Sequence, residues 1–366
     1  MLPVTSVVNA IFRIMRIEIH KGIIQALAAA ILFGVSTPLA KALVGTTPPL
    51  ILAGLLYLGS GLGLAAWRWL RSLSNKPADA MPLARQDLPW LAGAVLAGGI
   101  LATPLLMWGL QFTQGSTASL LLNLEGVFTA LLAWFVFREN FDRRIALGML
   151  LIVAAGALLS WQQLPIPGVA WGVFAIIGAC LLWGIDNNLT RKISASDASQ
   201  IAMIKGLVAG ITNLTLGYAA GGQLPEPSIV LAAGVLGLLG YGTSLVLFVL
   251  ALRNIGTART AAYFSIAPFA GAALALPLLG ETPGALFWPA TVLMGIGVWL
   301  HFSERHAHIH THVAMQHAHR HVHDVHHQHA HDFPWDGSEP HSHAHVHAPI
   351  SHTHHHFPDM HHRHRH

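Results

Sequence analysis

Ten apolar stretches follow one another along this chain, each near the roughly 20 residues that an α-helix needs to cross a bilayer. They lie at roughly 22–43, 48–67, 89–110, 114–137, 145–161, 168–190, 201–220, 228–250, 257–279 and 284–302. Charged residues make up 10% of the chain and apolar ones 53%, whereas a soluble domain carries about 25% charged residues. The expected fold class is therefore all-α and integral to a membrane, with ten transmembrane helices and the lipid bilayer as solvent.

Lys and Arg set the orientation. Arg68, Arg71, Lys76 and Arg85 lie in the second connection, Arg138, Arg143 and Arg144 in the fourth, Arg191 and Lys192 at the sixth, and Arg253 at the eighth. The alternate connections, "GTTPP", "QFTQG", "QQLPIP", "GGQLPEP" and "GETPG", hold neither residue. Positive loops stay cytoplasmic, so both termini are expected in the cytoplasm, as ten spans allow. The segment 1–21, with Arg13, Arg16 and Lys21 but no small-residue cleavage site, reads as a cytoplasmic lead-in.

The spans repeat. At an offset of 150, "LFGVSTPLAKAL" (32–43) aligns with "LWGIDNNLTRKI" (182–193); at 142, "GVFTALLAWFVFREN" (126–140) aligns with "PFAGAALALPLLGET" (268–282), with Glu139 facing Glu281. The domains expected are 22–161 and 168–302. Five spans is an odd number, so the second half must be inverted relative to the first, a common design for secondary transporters. With its short Glu-bearing turns "FREN" and "LGET" and its Gly-rich fifth helix "ALGMLLIVAAGALL", the region 22–302 resembles the drug/metabolite transporter superfamily, EamA type. The resemblance implies movement of small organic solutes, often outward, driven by ion or solute gradients without nucleotide. The chain departs from the family pattern at Gly126, where the second half has Pro268, so its fourth helix is expected to bend differently.

Within "SLLLNLEGVFTALL" (119–132), Glu125 is the lone charge of an apolar run. An acid near the midplane costs roughly 2.5–3.5 kcal/mol, so it should face the bundle interior or a wet cavity. It either carries a proton or substrate, or braces two helices through Ser119, Asn123 or Thr129. Asp186, followed by Asn187 and Asn188, is either a ligand or a helix-end acid paired with Arg191. Ser36 and Thr37 precede Pro38, where a broken backbone would free carbonyls for a ligand. Lys41, Lys205 and Arg259 sit near span ends, where each either snorkels to the interface or touches substrate. Tyr241, Tyr263 and Phe264 either line a pocket or pack. The substrate or proton set is thus Glu125, Asn123, Ser36, Thr37, Asp186, Asn187, Tyr241 and Tyr263.

Of the 26 histidines, all but His20 follow Leu300. The tail, 303–366, offers little to form a core and is expected to be disordered without ligand. His-x-His alternation suits Ni, Zn or Co. The metal candidates are His306, His308, His310, His312, His317, His319, His321, His323, His326, His327, His329, His341, His343, His345 and His347. A pH-sensitive polycation is the other reading of this tail.

The function expected is a secondary transporter, working outward by alternating access on a small organic solute across the inner membrane, with a metal-binding regulatory tail. The runner-up is a carrier of Ni, Co or Zn fed by that tail, although the spans hold no His. No cofactor is required by the motifs, which include no nucleotide-binding loop. The lone Cys180 excludes an intrachain disulfide. No acid/base or nucleophile constellation suggests an enzyme, and no basic patch with interleaved aromatics suggests a nucleic-acid partner. A homodimer is compatible with the sequence.

Overall fold

The computed structural model describes residues 4–73, 83–137, 143–161, 169–194, 196–255, 257–302, 306–311, 315–321, 341–347 and 351–356. The chain divides into a helical unit and a smaller unit built on residues 305–357.

The helical unit opens with α1 (Val4–Val44) and α2 (Pro49–Ser72). Next, α3 (Leu88–Ala94) runs through a π-helical segment, Val95–Ala102, into α4 (Thr103–Phe112). Then come α5 (Gly115–Leu121), α6 (Leu124–Phe137) and α7 (Arg143–Trp161). The second half starts with α8 (Val169–Ile193) and α9 (Ala198–Ala219), the latter capped by Asp197 accepting from the Ser199 and Gln200 amides. After them, α10 (Pro227–Leu236) passes through a second π-helical segment, Gly237–Thr243, into α11 (Ser244–Ile255). The unit closes with α12 (Thr257–Phe264), α13 (Ala267–Leu279) and α14 (Phe287–Phe302). The π segments begin at Val95 and Gly237, the same 142-residue offset that relates the two halves in sequence.

Among the described residues, eight helical stretches are long and apolar enough to cross a membrane; Ala267–Leu279 and Phe287–Leu300 are shorter apolar helices. The expected ninth span is cut at Ser265–Ile266, just before Pro268, whose missing N–H cannot continue the preceding helix. The expected fourth span is cut too, at Leu122–Asn123, without a proline. There the amides of Asn123, Glu125 and Gly126 turn to carbonyls three residues back. Both halves therefore bend at matching places, against the expectation from Gly126. A broken backbone at Thr37–Pro38 is not found: α1 continues through Pro38 to Val44.

The halves are interleaved. From the first half, α2 packs on α9, α7 on α14, α1 on α11 and α13, and α4 and α6 on α8. The pairing is reciprocal: the first helix of each half lies against the third and fourth spans of the other. Small residues allow close crossings: between α2 and α9, a Cβ on Gly206 would meet the Gly61 amide nitrogen at 2.4 Å. Phe135, Leu231, Val292 and Trp299 remain exposed on the outer surface, as helices facing lipid require.

In the smaller unit, strands β1 (His306–Thr311), β2 (Met315–His321), β3 (His341–His347) and β4 (Ser351–His356) form two antiparallel pairs, β1 with β4 and β2 with β3. Their His-x-His alternation has the period of a strand.

Candidate functional site

A cavity of about 530 Å³, counting its open mouth, lies within the helical unit between residues of both halves. Three charged side chains line it. Glu125, in the first turn of α6, is half-buried and accepts from Asn187 Nδ2 at 2.7 Å. The break before α6 aims this carboxylate at α8, where Asn187 also reaches Thr129 Oγ1 at 3.3 Å. One turn is thereby tied across the halves: Thr129 Oγ1 donates to the Glu125 carbonyl, and Asn188 Nδ2 donates to the Thr129 carbonyl.

Asp186, also on α8, accepts from Lys205 Nζ at 2.6 and 2.7 Å and from Thr190 Oγ1 at 2.9 Å. Lys205 is only 2% exposed, so it does not snorkel to an interface. Asp186 needs a glycine opposite: a Cβ on Gly98 would meet Asp186 Oδ2 at 1.9 Å. Gly98 belongs to the first π segment, where the wider turn frees carbonyls from the helical ladder. Its carbonyl accepts from Tyr57 Oη (3.3 Å), Trp183 Nε1 (3.2 Å) and Thr103 Oγ1 (3.1 Å), and the next carbonyl, of Gly99, accepts from Asn213 Nδ2 (2.9 Å). The second π segment supplies Gly240 and Tyr241 to the same cavity. The remaining walls are mainly aromatic: Phe33, Tyr57, Trp183, Phe248 and Phe264.

Comparison with known proteins decides the family. The model of the EamA-like transporter family matches twice, over residues 20–161 and 170–303. The chain belongs to the EamA-like transporter family. An uncharacterized transporter of Methanothermobacter thermautotrophicus is 28% identical over 75% of this chain and 82% of its own length. The uncharacterized inner membrane transporter YedA of Escherichia coli K12 is 25% identical over 66% of this chain and 78% of its own. The probable 4-amino-4-deoxy-L-arabinose-phosphoundecaprenol flippase subunit ArnE of Pseudomonas fluorescens is 36% identical over 29% of this chain and 94% of its own. A solved crystal structure matches 76% of this chain and 95% of its own with a TM-score of 0.56 and 18% identity, a likeness of fold alone. These relatives are named as transporters, not enzymes. This EamA-family chain is a multi-pass membrane protein that transports a small solute.

Of the residues singled out from sequence, Glu125, Asp186, Asn187, Tyr241 and Phe264 meet in the cavity. Asn123 does not line it; its Nδ2 donates to the Leu120 carbonyl of its own turn. Ser36 and Thr37 are buried outside it, Ser36 donating to the Phe33 carbonyl at 2.6 Å. Tyr263 packs beside Ala26, Ala251 and Ile255 instead. Asp186 pairs with Lys205 of α9.

Lys41 stands apart from the cavity, donating to the Leu110 carbonyl beside Glu281. Glu281 caps α5, its oxygens accepting from the Gly115 and Ser116 amides at 2.5 and 2.9 Å. Sequence reasoning missed Phe33, Tyr57, Trp183 and Phe248, and it underrated Lys205. The alignment of Trp183 with Phe33 at the 150-residue offset was the available signal.

In the tail, the backbone register sets His306 against His356, His308 against His354 and His310 against His352 in one sheet. In the other, His317 faces His345, His319 faces His343 and His321 faces His341. His312, His323, His326, His327 and His329 lie outside the described residues. Among the described residues, no group of three or more His, Cys, Asp or Glu is placed to hold a metal.

Proposed function

We propose that this transporter moves a small organic solute outward across the inner membrane by alternating access, with the cavity as its substrate site and both termini in the cytoplasm. The observation that carries this reading is the cavity itself: Glu125, Asp186, Lys205 and a set of aromatic rings enclosed by helices of both halves. Solute sites of secondary transporters lie between two repeats that rock against each other. The reciprocal pairing of the halves supports a two-fold relation between them. The segregation of Lys and Arg supports its inverted sense, as well as the placement of the termini.

The aromatic lining favours an organic body over a bare metal ion, whose ligands would be oxygen, nitrogen or sulfur. The tail would bind Ni, Zn or Co as a regulatory segment, a reading that rests on histidines facing histidines across both strand pairs.

The test is counterflow in proteoliposomes, screening amines, amino acids, nucleobases, sugars and Ni²⁺, Co²⁺ and Zn²⁺ against the wild type and Leu245→Trp. Leu245 lines the cavity, so the larger ring should fill it and abolish flux of the true solute. Flux unaffected by Leu245→Trp would place the pathway elsewhere.

A further inference from the structure

We infer that the cavity selects an organic cation, an amine or quaternary ammonium carrying an apolar or aromatic body. This rests on the reading of the cavity as the solute site and adds the charge of the solute. Three charged side chains of opposite signs line the space, and two cancel. Lys205 Nζ is held by both oxygens of Asp186 and lies 3.5 Å from Thr190 Oγ1. Its donors are therefore committed to the protein. What is left is the carboxylate of Glu125. Its Oε1 accepts from Asn187, and among the described residues no hydrogen bond reaches its Oε2. A cavity with one negative charge in surplus is complementary to a single positive charge.

The neutral polar groups point the same way. An anionic solute would need donors, yet most of those nearby are spent within the protein, Asn187 Nδ2 on Glu125 and Thr129 and three others on backbone carbonyls. Tyr57 Oη and Trp183 Nε1 both donate to the Gly98 carbonyl, and Ser244 Oγ donates to the Ala29 carbonyl at 2.9 Å. Turned this way, the two rings keep their polar atoms on the protein while both line the cavity. Phe33 joins the rings into one cluster, with centroids 5.8 Å from Trp183, 6.0 Å from Tyr241 and 5.5 Å from Phe264. An ammonium that sheds its water is attracted to aromatic faces as well as to a carboxylate. A zwitterion would bring its own carboxylate toward Glu125 and Asp186, where the lining cation among the described residues, Lys205, is already held by Asp186.

One scaffold in several charge states isolates this claim. The full-length protein in nanodiscs at pH 8, where tail histidines are neutral, is titrated calorimetrically with tryptamine, tryptophan, indole-3-acetate and indole. A second pair, benzyltrimethylammonium and phenylacetate, repeats the contrast at another size. The cations should bind at least about 10-fold more tightly than the zwitterion and anions. Glu125→Gln should weaken the cations about 30-fold, the worth of a charged hydrogen-bonded contact, and leave indole within about 3-fold. Tighter binding of tryptophan or the acids, or cation binding indifferent to Glu125→Gln, overturns the inference. If such a zwitterion or acid is displaced by Leu245→Trp, the cavity remains the solute site and only its charge preference is wrong. If neither scaffold binds in a manner sensitive to Leu245→Trp, the cation inference falls, and the counterflow screen decides separately whether the cavity reading falls with it.

Discussion

Removing Lys205 alone should harm the fold more than removing it together with Asp186. The pair is buried, with Asp186 5% and Lys205 2% exposed, and its two contacts are 2.6 and 2.7 Å long. At an effective dielectric of about 20, charges that close attract by about 6 kcal/mol, most of it offset by the water both groups give up. Lys205→Met leaves the Asp186 carboxylate with Thr190 as its remaining partner, and stranding a buried charge costs about 3–5 kcal/mol. In Lys205→Met/Asp186→Leu no charge is stranded, so the loss should shrink to about 1.5 kcal/mol or less. Denaturant unfolding in micelles can be followed by thiol labelling of Cys180, the single cysteine, which is fully buried and reacts only when the helices part. A double variant no more stable than Lys205→Met, or a single variant within about 1 kcal/mol of wild type, would refute the role given to this pair.

Gly98→Ala should cost about 1–3 kcal/mol and most of the transport, because its methyl would start 1.9 Å from Asp186 Oδ2; flux and the same labelling assay check it. Asp197, outside the spans, is partly buried, which opposes its ionisation, but hydrogen bonds from Arg68 and Ser199 and the Arg68 charge outweigh that and hold its carboxyl below the ordinary 3.8. Its contribution is thus present above pH 3.8 and lost as pH falls through the lower folded value. Arg68→Gln should destabilise the protein by under about 1 kcal/mol at pH 7, and by less near pH 3, in melting curves at both pH values. Deleting residues 304–366 should remove most Ni²⁺ and Zn²⁺ binding, measured calorimetrically, and leave solute flux intact. In the full chain that binding should weaken below about pH 6 as imidazoles protonate.

Much of the membrane architecture was legible because a bilayer demands one long apolar run per crossing, and Lys and Arg cannot hide among them. Glu125 and Asp186 stood out for the same reason, as charges in a medium that punishes charge. Their partners were not legible. Asn187 reaches Glu125 across 62 residues of chain, and Lys205 reaches Asp186 from the next helix, 19 residues away. The π segments carry no composition of their own: "VLAGGILA" reads as ordinary apolar helix until Gly98 and Gly99 are seen offering carbonyls to four side chains. Nor did the break before Glu125 announce itself, since the first half lacks the proline that marks its counterpart. The aromatic walls were hidden by abundance, because Trp and Phe are frequent here and most face lipid or pack.

In alternating access, one cavity between the halves is reached from each side of the membrane in turn. Cysteine placed at Leu245, in a Cys180→Ala background, tests it through labelling by a membrane-impermeant thiol reagent applied to either side of oriented vesicles. Labelling is expected from both sides, with transported solute protecting the site and an inhibitor of the cycle restricting labelling to one side. Labelling from a single side under every condition would contradict it.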